Sequence, residues 1–326
     1  MIYVENNSLD PFFNFALECY LINELDISDE YFMFWRTEPT LMIGKHQNTL
    51  EEINKDYVKE KNIHVVRRIS GGGTIYTDPN GWQFSFIVKN KQSRDIDFST
   101  YTTPVIKALN ELGVKAELSG RNDILINGKK ISGNAQYSNN NCLLHHGSIL
   151  FNTDLDELVR SITVSDEKIV SKGIKSVRER VTNVADNLDK KISTIEFRDL
   201  MVSYLLKDAK GTYKLNEKDI LRVKEIADSK FRTWEWNYGK SPEFNITKSK
   251  RFSGGKVEFK LNVKNGYIEQ CTIFGDFFSK GDVRIVADSL IGCPYKEEGI
   301  RAKLDEIRAA DFFHMVTIDE LVSCII

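Results

Sequence analysis

The chain has 326 residues, 41% of them hydrophobic and 28% charged, enough to bury a large core and to form one large domain with a smaller one beside it. A formal net charge of −2 argues against a global basic surface for nucleic acid. Five scattered cysteines without a C-x-x-C pair (Cys19, Cys142, Cys271, Cys293, Cys324) argue for reduced thiols over a disulfide framework or a zinc site.

The first residues lack the basic start and apolar stretch of a signal peptide, and no apolar run approaches a membrane span of roughly 20 residues. The expectation is a cytoplasmic protein that binds neither membrane nor nucleic acid. Asp10-Pro11, followed by Phe12, Phe13, Leu17, Tyr20 and Leu21, predicts a capped amphipathic helix. Residues 31–35 and 40–43 read as strands. Thr49-Leu50-Glu51-Glu52 has capping-box spacing and predicts a polar helix toward Lys61. Residues 64–68 and 74–76 predict two strands flanking a glycine turn, and residues 103–113 a helix with Pro104 near its start and Gly113 past its end. Residues 124–131, centred on Asn127-Gly128, read as a hairpin with a two-residue type I′ turn.

A strand at 148–151 follows His145-His146-Gly147, and helices are expected from Leu155, from the Ser193/Glu196 capping box to about Leu206, and from Glu217 to about Lys230. The polar stretch 239–250, with Lys240-Ser241-Pro242, reads as a loop. It divides the chain into a domain of residues 1–245 and a small one of residues 246–326. The tail predicts strands at 256–263 and 267–273, joined at Asn265-Gly266, then helical segments at 283–290, 300–309 and 317–324. Mixed strands and helices with several hairpins predict an α+β fold with mixed or antiparallel sheets, not a doubly wound parallel sheet.

Ser70-Gly71-Gly72-Gly73 has neither the length nor the terminal Gly-Lys-Ser/Thr of a P-loop. Three glycines do allow positive φ and close approach of N–H groups to an anion. Arg67 and Arg68 alternate across a strand, so one faces that loop and the other points away, and an arginine fork can bond two oxygens of a phosphate or carboxylate. A hairpin loop with solvated arginines would give the same residues. Arg121-Asn122-Asp123 precedes the predicted hairpin and Lys130 follows its turn, so pairing brings Asp123 and Lys130 to one end of a sheet. A lysine there suits a carboxylate and then a phosphate, and Asp123 suits a hydrated Mg²⁺ that also takes phosphate oxygens. Alternation puts Lys129 on the opposite face, with Lys130 on the side of Ser132. Together the two stretches describe a pocket for an anionic ligand, a phosphate joined to something else.

His145 and His146 lack the i,i+4 spacing of helical metal ligands, which leaves packing or pocket hydrogen bonding. Cys142, near the histidines and a lysine, is a candidate nucleophile, although Asn139-Asn140-Asn141 beside it reads as a loop tip. The segment Trp234-Glu235-Trp236-Asn237-Tyr238-Gly239 reads as an aromatic binding box or as core packing that seals the large domain.

At these motifs the chain resembles the lipoate-protein ligase A family of the biotin/lipoate ligase superfamily. The matching segments run in order over nearly the whole chain: Asn14-Phe15-Ala16-Leu17-Glu18, Gly44-Lys45-His46-Gln47-Asn48, residues 67–73, 120–123 and 130–134, His146-Gly147, and residues 172–183. The resemblance implies a large mixed-sheet catalytic domain with a small α+β C-terminal domain. It also implies an ATP- and Mg²⁺-dependent enzyme that converts lipoate to lipoyl-AMP and passes the lipoyl group to a lysine of an acceptor, the glycine cleavage H protein or a 2-oxoacid dehydrogenase E2 subunit. By position it makes Lys130 the catalytic lysine. It puts Arg68, Ser70, Gly71, Gly72 and Gly73 in the lipoate/adenylate loop, with Thr74, Ile75 and Tyr76 continuing the nucleotide contact. Asn122 and Asp123 fall at the phosphate and metal. His146, Lys172, Arg178 and Asn183 complete the binding set, residues 172–183 being a mobile cover. One departure is Thr77, where the family commonly has histidine. The competing readings are an ATP-independent octanoyl/lipoyl transferase using a Cys142 thioester, and a non-enzymatic lipoate or biotin sensor.

Overall fold

The computed structural model describes residues 1–25, 29–90, 96–120, 122–139, 141–162, 178–207, 209–238, 246–264 and 266–326, with only the backbone of Leu50 and Glu51. Its strands are β1 (Ile2–Glu5), β2 (Tyr31–Trp35), β3 (Thr40–Ile43), β4 (His64–Arg67), β5 (Ile75–Thr77), β6 (Trp82–Lys89), β7 (Ala116–Ser119), β8 (Asp123–Ile126), β9 (Lys129–Ser138), β10 (Cys142–Ile149), β11 (Gly211–Lys214), β12 (Ile246–Phe252), β13 (Gly255–Lys264) and β14 (Tyr267–Gly275). They form a large sheet in the order β11-β1-β2-β6-β10-β9-β8-β7 and two three-stranded sheets, β4-β3-β5 and β12-β13-β14. In the large sheet β1 runs parallel to β2 and β11 and the other pairs are antiparallel, so the architecture is α+β with a mixed sheet.

All five residues of β2 are buried because both faces of the sheet are covered. Phe32 and Phe34 pack with Phe84, Phe86 and Phe197, while Tyr31, Met33 and Trp35 pack against the helix Pro11–Asn23. Each fully buried aromatic contributes about 1.5–3 kcal/mol relative to exposure. Asp10 caps the helix Pro11–Asn23 by accepting from the Phe12 N–H at 3.0 Å. The expected amphipathic stripe is absent, because this helix lies between the sheet and the helix Glu217–Ile226 and buries nearly every residue, Asn14 and Glu18 included.

Several boundaries differ from those predicted. Thr49 caps nothing: its hydroxyl donates to Asn237 O at 2.5 Å, and the polar helix breaks at Ile53 into Thr49–Glu52 and Lys55–Glu60, the second capped by Asn54. The helix predicted from Thr103 begins at Ser99, with the Asp97 carboxylate accepting from the N–H groups of Ser99 and Thr100, so Pro104 falls inside it. Strand β10 starts at Cys142, which puts both histidines within a strand, and the loop read through Lys250 is the strand β12 from Ile246 onward. Strands β1, β6, β7 and β11 add to those predicted. The Asn127-Gly128 turn is type I′, with φ of 51° and 75°.

A separate core holds Val257, Phe259, Leu261, Phe277, Leu290, Leu304 and Leu321, drawn wholly from residues after 245. This unit rests on the glycine segment, where Gly72 N–H donates to Phe277 O at 3.2 Å and Gly275 N–H to His46 O at 2.6 Å. Among the described residues no helix is long and apolar enough to cross a membrane.

Candidate active site

The glycine segment is not a hairpin turn. β4 and β5 lie on opposite sides of β3, so residues 68–74 cross over one end of that small sheet. Arg68 holds the crossover from inside: its guanidinium donates to Met42 O at 2.8 Å, Gly71 O at 2.8 Å and Gly73 O at 2.7 Å. Burial pushes its pKa down to about 10, which leaves it a cation at neutral pH. Arg67, pointing the other way, donates to Gly44 O, Lys45 O, Gln47 O, Thr49 Oγ1, Trp236 O and Asn237 O. Neither arginine is solvated.

Gly72 has a φ of +92°, and a Cβ there would stand 3.0 Å from Arg68 Nη2 and 3.1 Å from the Phe278 ring, so only glycine fits without displacement. Thr74 beside it donates to Gln47 Oε1 at 3.0 Å and to Glu52 Oε2 at 3.3 Å.

Lys130 Nζ lies 2.8 Å from Asp123 Oδ1, as the hairpin reading requires. The cause includes a β-bulge: the register slips between Ile124 and Leu125, so Gly133 rather than Ser132 stands opposite Asp123. Lys130 and Ser132 therefore do not share a side, contrary to strict alternation. A Cβ on Gly133 would come within 3.2 Å of Nζ, so the bulge clears the space through which the ammonium reaches the carboxylate. Asn122 is fixed to β9 by its side-chain N–H to Asn134 O at 2.6 Å, while Arg121 lies outside the described residues.

These parts meet around one cavity of about 120 Å³. Of the residues singled out in the sequence, Arg68, Gly72, Gly73, Thr74, Ile75, Asn122, Lys130 and His146 line it. Ser70 and Gly71 sit directly behind its wall, and Asp123 is reached through Lys130. Tyr76 does not reach it, because alternation along β5 sends its ring into the core of Leu41, Ile43 and Val65. Arg178 pairs with Asp156, Nη2 to Oδ2 at 2.8 Å, in a second groove that Asn183 also lines. Asn183 clamps Thr153 by two hydrogen bonds of 3.0 Å, and the Thr182 N–H donates to Lys130 O at 3.0 Å, so this groove runs beside the lysine strand. Lys172 lies outside the described residues.

Trp35, Met42, Phe15, Ala135 and Phe278 form the cavity's apolar side. No local pattern marks them, since each comes from a different element and Phe278 comes from the C-terminal unit. The floor is β6 and β10, where Gln83 and Ser148 stand opposite each other. Gln83 Nε2 donates at 2.7 Å to Oγ1 of buried Thr77, the residue found where the family commonly has histidine.

His146 and His145 face opposite sides of β10. His145 is enclosed by Phe84, Phe86, Phe98 and Tyr101, and burial pushes its pKa down to about 3. Cys142 is fully buried in the core beneath the helix Pro11–Asn23, does not line the cavity, and has its thiol pushed up to about 11 by desolvation. A thioester at Cys142 is thereby ruled out as the working route. Trp236 packs into the core and donates to Arg67 O at 2.7 Å, whereas Trp234 is exposed and stacks on Tyr238. The aromatic segment is a brace for Arg67.

Among the described residues no three His, Cys, Asp or Glu side chains gather as a metal cage. Asp123 can offer a carboxylate oxygen beside the cavity, which fits a Mg²⁺ that takes its other ligands from phosphates and water.

Residues 10–206 match the lipoyl protein ligase A/B catalytic domain, and residues 241–325 match the bacterial lipoate protein ligase C-terminus. The chain is 42% identical, over 100% of both chains, to lipoate-protein ligase LplJ of Bacillus subtilis (strain 168). Among solved structures it is similar to LipL1 of P. falciparum in complex with lipoate, with a TM-score of 0.77 and 25% identity over 95% of this chain and 98% of that one. It is also similar to a lipoate-protein ligase A bound with ATP, with a TM-score of 0.62 and 28% identity over 73% of this chain and 98% of that one.

Proposed function

Because this chain belongs to the lipoyl protein ligase A/B family and is a lipoate-protein ligase, we propose that the cavity between the glycine crossover and Lys130 forms lipoyl-AMP from lipoate and ATP and then delivers the lipoyl group to an acceptor lysine. A free carboxylate is a poor acyl donor because its leaving oxygen is anionic, and joining it to AMP as a mixed anhydride supplies a good leaving group. The observation that carries this reading is the placement of one ammonium, Lys130, on the wall of a cavity whose opposite rim is the Arg68-braced glycine backbone.

Lys130 counters the charge of the acid and the α-phosphate in the first step and of the departing phosphate in the second. Preorganised donors of this kind contribute roughly 10²–10³ in rate each. Trp35, Met42, Phe15 and Ala135 take the acyl chain, Thr74 and Ile75 meet the nucleotide, and Arg178 and Asn183 act from the neighbouring groove. Mg²⁺, held by Asp123 and the phosphates, would neutralise phosphate charge. Acceptors are lipoyl domains of the glycine cleavage H protein or a 2-oxoacid dehydrogenase E2 subunit. Residues 1–245 act as the catalytic domain and 246–326 as an accessory one. Five buried free thiols support a reducing, cytoplasmic setting.

Incubating the protein with lipoate, Mg-ATP and each acceptor domain, and weighing the acceptors by mass spectrometry, tests the reading. A single lipoyl increment on one lysine, with one pyrophosphate released, is expected. Unmodified acceptors and no pyrophosphate would overturn it.

A further inference from the structure

A fully buried carboxylate stands in the helix Pro11–Asn23 among Phe15, Ala16, Leu17 and Cys19. Glu18 has no exposed surface, and a lone buried charge costs several kcal/mol unless it is paired and hydrogen-bonded. Its partners lead to the cavity. Glu18 Oε1 accepts from Ser85 Oγ at 2.6 Å, and Ser85 Oγ accepts from Trp35 Nε1 at 2.9 Å. His146 Nδ1 lies 3.0 Å from Glu18 Oε1 and 3.2 Å from Oε2. On the other edge of the same imidazole, Nε2 lies 2.6 Å from Ser70 Oγ, at the start of the glycine crossover.

One further charged group faces this cluster. The Arg68 cation and the Glu18 carboxylate sense each other across it. With a carboxylate at Nδ1, the hydrogen sits on Nδ1, and Nε2 is the acceptor of the Ser70 hydroxyl. The second imidazole nearby is no substitute. His145 binds Gln136 and Asn134 on the far face of the strand.

We propose that His146 is the proton acceptor of the transfer half-reaction, with Ser70 as its hydrogen-bond partner and Glu18 as the positioning residue that holds the imidazole in its accepting tautomer. The inference rests on the ligase reading above. The two half-reactions differ in their need for a base. In adenylation a lipoate oxygen attacks the α-phosphate and pyrophosphate leaves, with no proton transferred. In transfer the acceptor side chain arrives as an ammonium ion and has no lone pair until it loses a proton. His146, whose ring lines the cavity while Ser70 lies behind it, takes that proton at Nε2, and the Ser70 hydroxyl turns from donor to acceptor of the new N–H. The freed amine then forms the C–N bond, the C–O bond to phosphate breaks, and AMP leaves with its electron pair. The second nitrogen proton goes to solvent, and His146 later returns its own.

Preformed lipoyl-AMP supplied to the full-length protein separates the steps. Two nucleophiles are compared, the lysine of an E2 lipoyl domain and hydroxylamine, which is neutral at pH 7 and needs no deprotonation. Glu18→Gln should lower the ratio of lysine to hydroxylamine transfer roughly 10²-fold, the scale of general-base assistance. Ser70→Ala, which removes only a hydroxyl, should lower it similarly and keeps the test open if Glu18→Gln fails to fold. A ratio unchanged in either variant, or equal loss with both nucleophiles, overturns the proposal. Failure of the unaltered protein to make lipoyl-AMP would instead sink the ligase reading itself.

Discussion

Arg67 and Arg68 are consecutive in the chain and brace opposite sides of β4: Arg68 holds the glycine crossover through the carbonyls of Gly71 and Gly73, and Arg67 holds residues 44–49 to Trp236 and Asn237. Strand alternation divides one charged pair between a cavity wall and a structural tie. Replacing Arg67 by Ala removes the donor to the part-buried carbonyls of Lys45, Gln47 and Trp236, while Gly44 O keeps the Gln47 N–H and Asn237 O keeps the Thr49 hydroxyl. At about 1–3 kcal/mol for each buried group left unsatisfied, the expected loss is at least one such increment, read as a lower urea midpoint. An unchanged midpoint would show that the tie carries no stability.

The bulge opposite Asp123 makes Gly133 a second test point. A valine there places side-chain carbon where the Lys130 ammonium now lies, 3.2 Å from the position of a Cβ. Gly133→Val should cut lipoyl-AMP formation about 10-fold or more, in line with displacing one charged donor, while the melting temperature changes little because the side chain faces the cavity. Full activity in this variant would place the ammonium elsewhere during turnover.

The buried thiol at Cys142 leads to a different expectation. Cys142→Ala should retain full ATP-driven lipoylation and lose about 1–2 kcal/mol of stability through the cavity it leaves in the core. Loss of acyl transfer in a stably folded variant would return the thioester route to contention.

Acid sensitivity follows from two enclosed imidazoles. Burial pushes His46 and His145 down to about 3 from an ordinary value near 6.5, so the folded chain leaves both neutral where the unfolded chain binds protons. Their contribution to stability is fully present above pH 6.5 and is lost as pH falls toward 3. By linkage the loss at pH 5 is about 2 kcal/mol per histidine. Urea midpoints measured from pH 7.5 down to pH 5 should fall accordingly, and a flat profile would mean that the imidazoles are solvated.

Much of this was legible in the residues, for reasons that differ by element. Tyr31–Trp35 and the Asn127-Gly128 hairpin are set by local chemistry, and so is the Ser193 capping box, whose reciprocal bonds both form. Local reading failed where distant partners decide. Thr49 has capping-box spacing but is taken by Asn237, 188 residues away. The glycine turn looked like a hairpin because the pairing of both flanking strands with β3 is invisible in the segment itself. The bulge that presents Gly133 to Lys130 breaks an alternation rule that sequence reading must assume, and Phe278 enters the cavity wall from a unit some two hundred residues further along the chain. Glu18 lies within the Asn14–Glu18 motif, yet its role depends on burial that no hydrophobic pattern announces.

Lys130→Ala, assayed for lipoyl-AMP formation from lipoate and Mg-ATP, tests the central claim most directly. A folded protein is expected whose adenylation rate falls roughly 10²–10³-fold, the scale of removing one preorganised charge from the transition state. A folded Lys130→Ala protein that makes lipoyl-AMP at the unaltered rate would contradict it.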